Sequence, residues 1–202
     1  SVQPGSTIIS EVKASQSLYD DIAKRGGRGI MWKTGHSLIK AKMKEESAVL
    51  AGEMSGHMFF AVLYFGYDDA VYASCRLVEI LVKTQRPLST LVADLPKTVV
   101  TPEIRVDLPD TVKFNVVERV RLRFSEYLQS KQGLGPSKLV LRDLITIDGV
   151  RGIFDDGWGL VRASNTQPAL VLRFEATSSA QLNLIRAIVE EELLEAKRAV
   201  GC

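Results

Sequence analysis

The chain has 202 residues, of which 46% are hydrophobic and 25% charged, with a formal net charge of +2. Such a composition excludes a disordered segment, and near-neutrality gives no basis for expecting nucleic acid or an anionic membrane as partner. The longest near-apolar run, residues 58–65, falls far short of the ~20 residues that span a bilayer, and the N-terminal stretch lacks the basic-then-apolar form of a secretion signal. A cytoplasmic protein is expected. Its two cysteines, Cys75 and Cys202, are too few and too distant for a disulfide framework or a metal cluster. Cys75 lies in an apolar helical pattern and is expected to be a small buried hydrophobe.

In chain order, Pro4-Gly5-Ser6 precedes a β-branched run, residues 7–13, that reads as strand. Residues 15–25 place Leu18 and Ile22 four apart, and Gly26-Gly27 stop that helix. A short strand over 29–33 is followed by a helix over 37–46 with Leu38, Ala41 and Met43 inward and the basic run Lys40–Lys44 on its solvated face. Residues 48–53 are again strand. From Asp69, Ala70, Ala73, Leu77, Ile80 and Leu81 recur at helical spacing until Pro87. Strands alternating with helices predict a layered α/β packing.

Pro96 and Pro102 bracket a stretch without helical period, which places a boundary there and predicts domains over 1–97 and 98–202. Beyond it come a strand over 103–108 and a helix over 110–132 carrying Val117, Val120, Phe124 and Leu128 on one face. A turn over 133–137 leads to a strand or hairpin over 138–149. Two strands, GWGLVRAS and ALVLRFEA, flank the loop NTQP. The last helix opens with a capping pair, Ser178 and Gln181, and carries the stripe Leu182, Ile185, Val189 and Leu193. The expected fold class is α/β: a mixed α/β/α layered domain, then a smaller α+β domain with an antiparallel sheet and helices on one face.

Polar groups interrupt four strand ends: Lys13, KTGHS (33–37), GEMSGH (52–57) and RASNT (162–166). The first three follow strands of an open α/β sheet, where ligands bind outside the carboxyl ends. Glu53 can accept two hydroxyl protons of one ligand, Ser55 and His57 both donate and accept, and two glycines allow close backbone approach. That set suits a polyol such as a sugar ring, while Lys13, His36 and His57 can meet a phosphate. The alternative for GEMSGH is a polar hairpin turn with Glu53 exposed. In RASNT, Arg162 offers a planar fork that matches phosphate oxygens, and Ser164, Asn165 and Thr166 add neutral donors. Its alternative is a Ser/Asn/Thr turn beside an exposed arginine. There is no P-loop, no G-x-G-x-x-G and no metal-ligand spacing. The acidic pairs Asp68-Asp69 and Asp155-Asp156 sit at turns or helix starts, where aspartate caps.

The motifs KTGHS, GEMSGH, FGYDDA and RASNTQP, in this order, resemble the α-D-phosphohexomutase superfamily, and within it the bacterial phosphomannomutase/phosphoglucomutase group, over nearly the whole chain. The resemblance implies a four-domain enzyme around one cleft, with a phosphoserine motif in the first domain and a D-G-D-G-D-type Mg²⁺ loop in the second. Neither motif occurs in this sequence, so the chain resembles the third and fourth domains only. By that resemblance Glu53 and Ser55 meet the sugar 3- and 4-hydroxyls, with His57 completing the loop. Lys13 and His36 line the sugar-phosphate pocket, and His36 is a candidate acid–base group. Arg162, Ser164, Asn165 and Thr166 hold the non-reacting phosphate. No other catalytic residue and no metal ligand is expected in this chain. Mg²⁺ is expected for the intact enzyme, and hexose phosphates and the N-terminal domains of the same enzyme are the implied partners. A non-catalytic sugar-phosphate binding module and a phosphoglucosamine-type mutase fragment are the alternatives. Met54 and the sequence SNT favour the glucose/mannose group. After GEMSGHMFF, the sequence AVLY stands where relatives carry charged residues.

Overall fold

The computed structural model describes residues 3–131, 133–135 and 139–202. The chain forms two compact units, Ser1–Pro96 and Lys97–Cys202.

The first unit alternates strand and helix: β1 (Thr7–Glu11), α1 (Gln16–Lys24), β2 (Arg28–Trp32), α2 (His36–Glu45), β3 (Leu50–Gly52) and β4 (Met58–Phe60). Helices α3 (Ala70–Thr84) and α4 (Leu88–Leu91) complete it. The sheet order is β2-β1-β3-β4, with β1 parallel to both neighbours and β4 antiparallel to β3. Successive strand residues face opposite sides, and the two faces carry different helices. Gly29, paired with Ile8, lies under Tyr19 and Ile22 of α1. Ile9 packs on the other side with Ile39 and Met43 of α2 and with Ala51 and Phe59. This crossover pattern sets the carboxyl ends of β1, β2 and β3 side by side, Glu11 opposite Trp32 and Ser10 opposite Gly52.

Three sequence expectations change here. The inward face of α2 is Ile39, Lys42 and Met43, with Leu38 and Ala41 outward. Lys42 therefore leaves the solvated face: its stem is buried, and its ammonium lies over Trp32 and pairs with Glu45 and Glu46. Such a side chain covers apolar surface with its methylenes while its head stays paired. Cys75 is exposed. Helix α3 has no buried residue, so a place in its apolar stripe is not a place in a core. Asp69 does cap α3, accepting from the N–H of Tyr72 at 2.9 Å.

The second unit contains β5 (Val99–Val100), β6 (Ile104–Asp107), α5 (Asp110–Ser130), β7 (Leu141–Ile145), β8 (Val150–Phe154), β9 (Gly157–Ala163), β10 (Ala169–Ala176) and α6 (Ser179–Val200). Its strands are all antiparallel, in the order β5-β10-β9-β8-β7, with β6 also on β10. Gly152 and Gly159 are cross-strand partners. A side chain at Gly152 would strike Phe124 of α5, and one at Gly159 would strike Val189 of α6. Both helices therefore pack on the same face. Val116, Val120 and Phe124 join Leu182, Ile185, Val189 and Leu193 in one buried cluster. The buried stripe of α5 is Lys113, Val116, Val120 and Phe124; Val117 and Leu128 flank it. Residues 138–149 contribute β7 of a β7–β8 hairpin, and β8 itself lies beyond the expected strands. Gln132 of the expected helix, Pro136 and Ser137 of the expected turn and Lys138 of the expected strand lie outside the described residues. Ser178 caps α6 by accepting from Gln181 N–H at 3.3 Å, while Gln181 Oε1 is buried without a partner among the described residues. Only half of the capping box forms.

Candidate functional sites

In the first unit the loops after β1, β2 and β3 converge on two acidic side chains. Glu11 is fully buried at the end of β1. Its Oε2 accepts from the N–H of Lys13 at 2.7 Å and from the hydroxyl of Thr34 at 3.1 Å, and its Oε1 accepts from the N–H of Met54 at 3.2 Å. One carboxylate thus ties all three strand-end loops together. Lys13 itself is buried. GEMSGH is the β3–β4 hairpin connection, closed by Glu53 N–H to the carbonyl of His57 at 2.9 Å and by Gly56 N–H to the carbonyl of Glu53 at 3.0 Å. Of its two glycines, only Gly56 uses the left-handed region, at φ 95°. Gly35, at φ 134°, occupies the N-cap of α2 and presents its N–H to Glu53 Oε1 at 2.8 Å.

Glu53 is buried to 4% side-chain exposure, so the exposed-turn alternative does not hold for it. Its free oxygen, Oε2, lies 3.6 Å from His36 Nε2. The His36 and His57 rings meet edge to face with centroids 4.0 Å apart, and Phe59 backs His36. His57 Nδ1 is 2.6 Å from Asp68 Oδ2, while the other oxygen of Asp68 accepts from Met58 N–H. Both imidazoles keep an open side, with side-chain exposures of 48% for His36 and 39% for His57. Ser55 stands exposed at the hairpin tip. The result is a half-open rim: a buried carboxylate, two imidazoles and a hydroxyl, on a backbone fixed from beneath.

In the second unit RASNT links β9 to β10. Arg162 is buried, and its fork is occupied from within the unit. Nε donates to Asp148 Oδ2 at 3.1 Å and Nη2 to Asp148 Oδ1 at 3.4 Å. Neither the exposed arginine nor a fork wholly open to a ligand is found. Among the described residues, two of the guanidinium's five N–H groups are committed and three remain. Ser164 is buried and folds the loop, its hydroxyl accepting from Thr166 N–H at 3.3 Å and Gln167 N–H at 3.2 Å. Lys113 of α5, also buried, donates to the carbonyls of Ser164 at 2.6 Å and Gln167 at 2.9 Å. Asn165 and Thr166 are left exposed at the tip. A recess of about 240 Å³ beside them is walled in part by Phe114, Asp148, Ala163 and Asn165.

Residues 1–99 match the family model for the phosphoglucomutase/phosphomannomutase α/β/α domain III, and residues 103–192 match that for the C-terminal domain of the same enzymes. The chain belongs to the phosphoglucomutase/phosphomannomutase family. A phosphomannomutase/phosphoglucomutase of Pseudomonas putida is 47% identical over 95% of this chain and 38% of its own length. A phosphoglucomutase of Neisseria gonorrhoeae is 42% identical over 93% of the chain and 39% of its length. Among solved structures, a family protein from Burkholderia thailandensis superposes with a TM-score of 0.81 at 41% identity, over 96% of this chain and 38% of that one. The chain thus spans well under half the length of these relatives, and it corresponds to the third and fourth domains of a phosphohexomutase.

Within that family frame, the supports of the two loops were not found by reading the sequence for site residues. Glu11 was hidden inside a strand-like run, although a carboxylate in a segment read as buried is itself a signal. Lys113 announces itself by spacing, three residues before Val116 on the apolar stripe of α5. Asp68 is expected only as a turn or cap residue, and Asp148 lies inside the expected strand or hairpin over 138–149 with no role assigned. In the AVLY segment, Tyr64 stacks on Tyr72 at 4.0 Å and donates its hydroxyl to Asp69. Nothing in the structure explains the exposed Val62 and Leu63.

Proposed function

We propose that this chain is the sugar- and phosphate-binding part of a phosphomannomutase/phosphoglucomutase that interconverts hexose 1- and 6-phosphates through a bisphosphorylated intermediate. The observation that carries this reading is the buried Glu53 carboxylate, fixed by Gly35 N–H on one oxygen and turned toward the open rim with the other. A fixed acceptor flanked by Ser55 and His57 suits adjacent ring hydroxyls, and hydroxyls can be met by a ring in either of two flipped orientations. Lys13 and His36 complete the sugar-phosphate pocket, with His36 the acid–base candidate. Arg162, Ser164, Asn165 and Thr166 form the phosphate loop. In this reading Arg162 supplies charge through its remaining N–H groups, and Ser164 shapes the loop that presents Asn165 and Thr166. Catalysis then rests on positioning and charge.

The Mg²⁺ of the intact enzyme is assigned to the domains that precede these. It requires octahedral oxygen ligands, and the cluster of ligand-type side chains here, His36, Glu53 and His57, is rich in nitrogen and does not fit it. On this reading the 202-residue chain alone gives no turnover of glucose 1-phosphate with Mg²⁺, and turnover above background contradicts it. In the intact enzyme Arg162→Ala raises KM for the sugar phosphate; an unchanged KM removes the phosphate-loop assignment.

A further inference from the structure

We infer that His36, Glu53 and His57 form a binding site for a nitrogen-preferring transition-metal dication of the Zn²⁺ type, separate from the Mg²⁺ requirement. One ligand atom from each of the three residues lies within 4.8 Å of the others. Four-coordinate Zn²⁺ binds imidazole nitrogen at about 2.0–2.1 Å and carboxylate oxygen at about 2.0–2.2 Å, so small side-chain rotations close the set. The atoms open to an ion follow from what their neighbours already hold. His57 Nδ1–H donates to Asp68 Oδ2, which leaves Nε2 with the lone pair. Glu53 Oε1 is taken by Gly35 N–H, which leaves Oε2. His36 turns Nε2 toward that same oxygen.

Two further features favour a metal over a chance cluster. The Asp68–His57 pair is the outer carboxylate–imidazole contact that orients metal-bound histidines and raises their basicity. The charges also balance, since two neutral imidazoles, Glu53 and the outer Asp68 neutralise a dication. Two nitrogens and one oxygen select Zn²⁺, Co²⁺, Ni²⁺ or Cu²⁺ over Mg²⁺ or Ca²⁺. The exposed sides of both imidazoles give an entry path and leave the fourth position to water. If the sugar-rim reading above holds, ion and sugar compete for Glu53 and His57, and the ion is an inhibitor of the enzyme.

The chain's only two histidines are both in this cluster, so the experiment is direct on protein prepared without a polyhistidine tag. Co²⁺ added to the metal-free chain is expected to give visible ligand-field bands of four-coordinate intensity, saturating at one equivalent and displaced by Zn²⁺ but not by millimolar Mg²⁺. His36→Gln and His57→Gln each abolish the bands with an unchanged circular dichroism spectrum. Asp68→Asn weakens Zn²⁺ about 10–100-fold, the usual loss for an outer-contact residue. Zn²⁺ also shifts the ring resonances of both histidines in the unmutated chain, a readout that needs no variant. Absence of a one-to-one complex, or bands that persist in both histidine variants, overturns the site. Displacement of Co²⁺ by glucose 6-phosphate, but not by inorganic phosphate, tests the competition alone. Its failure contradicts the sugar reading and leaves the metal site standing.

Discussion

The loop at 52–57 and the loop at 162–167 both leave the end of a strand, and both hide the charge that holds them, but the signs are opposite. Beneath the first lie two buried carboxylates, Glu11 and Glu53, that collect backbone and hydroxyl donors. Beneath the second lie two buried cations, Arg162 and Lys113, that collect a carboxylate and backbone carbonyls. A buried carboxylate aligns N–H and O–H groups inward and leaves an acceptor rim, as ring hydroxyls need. A buried cation draws carbonyls inward, the N–H groups of Thr166 and Gln167 fold onto Ser164 Oγ, and the side chains of Asn165 and Thr166 are left at the exposed tip. Under the proposed function, the difference teaches that each loop's ligand preference is set by the buried charges that hold it as much as by the residues at its tip.

The largest effect comes from removing the carboxylate hub. Glu11→Ala leaves three donors without their acceptor, each costing roughly 1–3 kcal/mol when buried. We expect the first unit to lose about 3 kcal/mol or more in urea unfolding followed by Trp32 fluorescence. Trp158, the other tryptophan of the chain, reports the second unit and is expected to keep its midpoint. Equal shifts at both tryptophans would break the comparison.

The mirror experiment is Lys113→Met, which keeps the stem and deletes the charge. Two loop carbonyls lose their donor, so we expect a loss of roughly 2 kcal/mol on the Trp158 transition together with weaker phosphate binding. Unchanged phosphate affinity in a folded variant would reduce Lys113 to a packing residue.

The smallest effect is a pH dependence at the start of α3, beside the first loop. The hydroxyl of Tyr64, and then the N–H of Tyr72, hold the Asp69 carboxyl below its ordinary value. A depressed folded pKa contributes stability that is complete above the unfolded value, ~3.9, and is lost as pH falls through the folded one. Helix α3 is therefore expected to fray only in acid, by circular dichroism below about pH 4. Asp69→Asn keeps a cap and flattens that dependence; an unflattened curve assigns the acid loss elsewhere.

Much of the fold was legible because periodicity and punctuation agree. The β-branched run from Thr7, the stripe from Leu182 to Leu193 and the Ser178 cap each carry a local cause and each forms, although the strand ends at Glu11, two residues short of Lys13. What failed were inferences from type without phase. Leu38 and Ala41 are apolar but stand off the α2 stripe by about one position, while Lys42 stands on it. Cys75 follows an apolar period that meets no core. At the sites, the residues that show were readable from chemistry and spacing. Those that hold them in place, Glu11, Lys113 and Asp148, act across 14 to 54 residues of chain. No local pattern encodes those pairings.

The central claim is that the two loops read different parts of one kind of ligand. Backbone amide shifts of the isotope-labelled chain test it most directly. Inorganic phosphate is predicted to move residues 162–167 and leave 52–57 in place, and glucose 6-phosphate to move both sets. Movement of 52–57 with phosphate alone, or a 52–57 loop that ignores glucose 6-phosphate, would contradict the account.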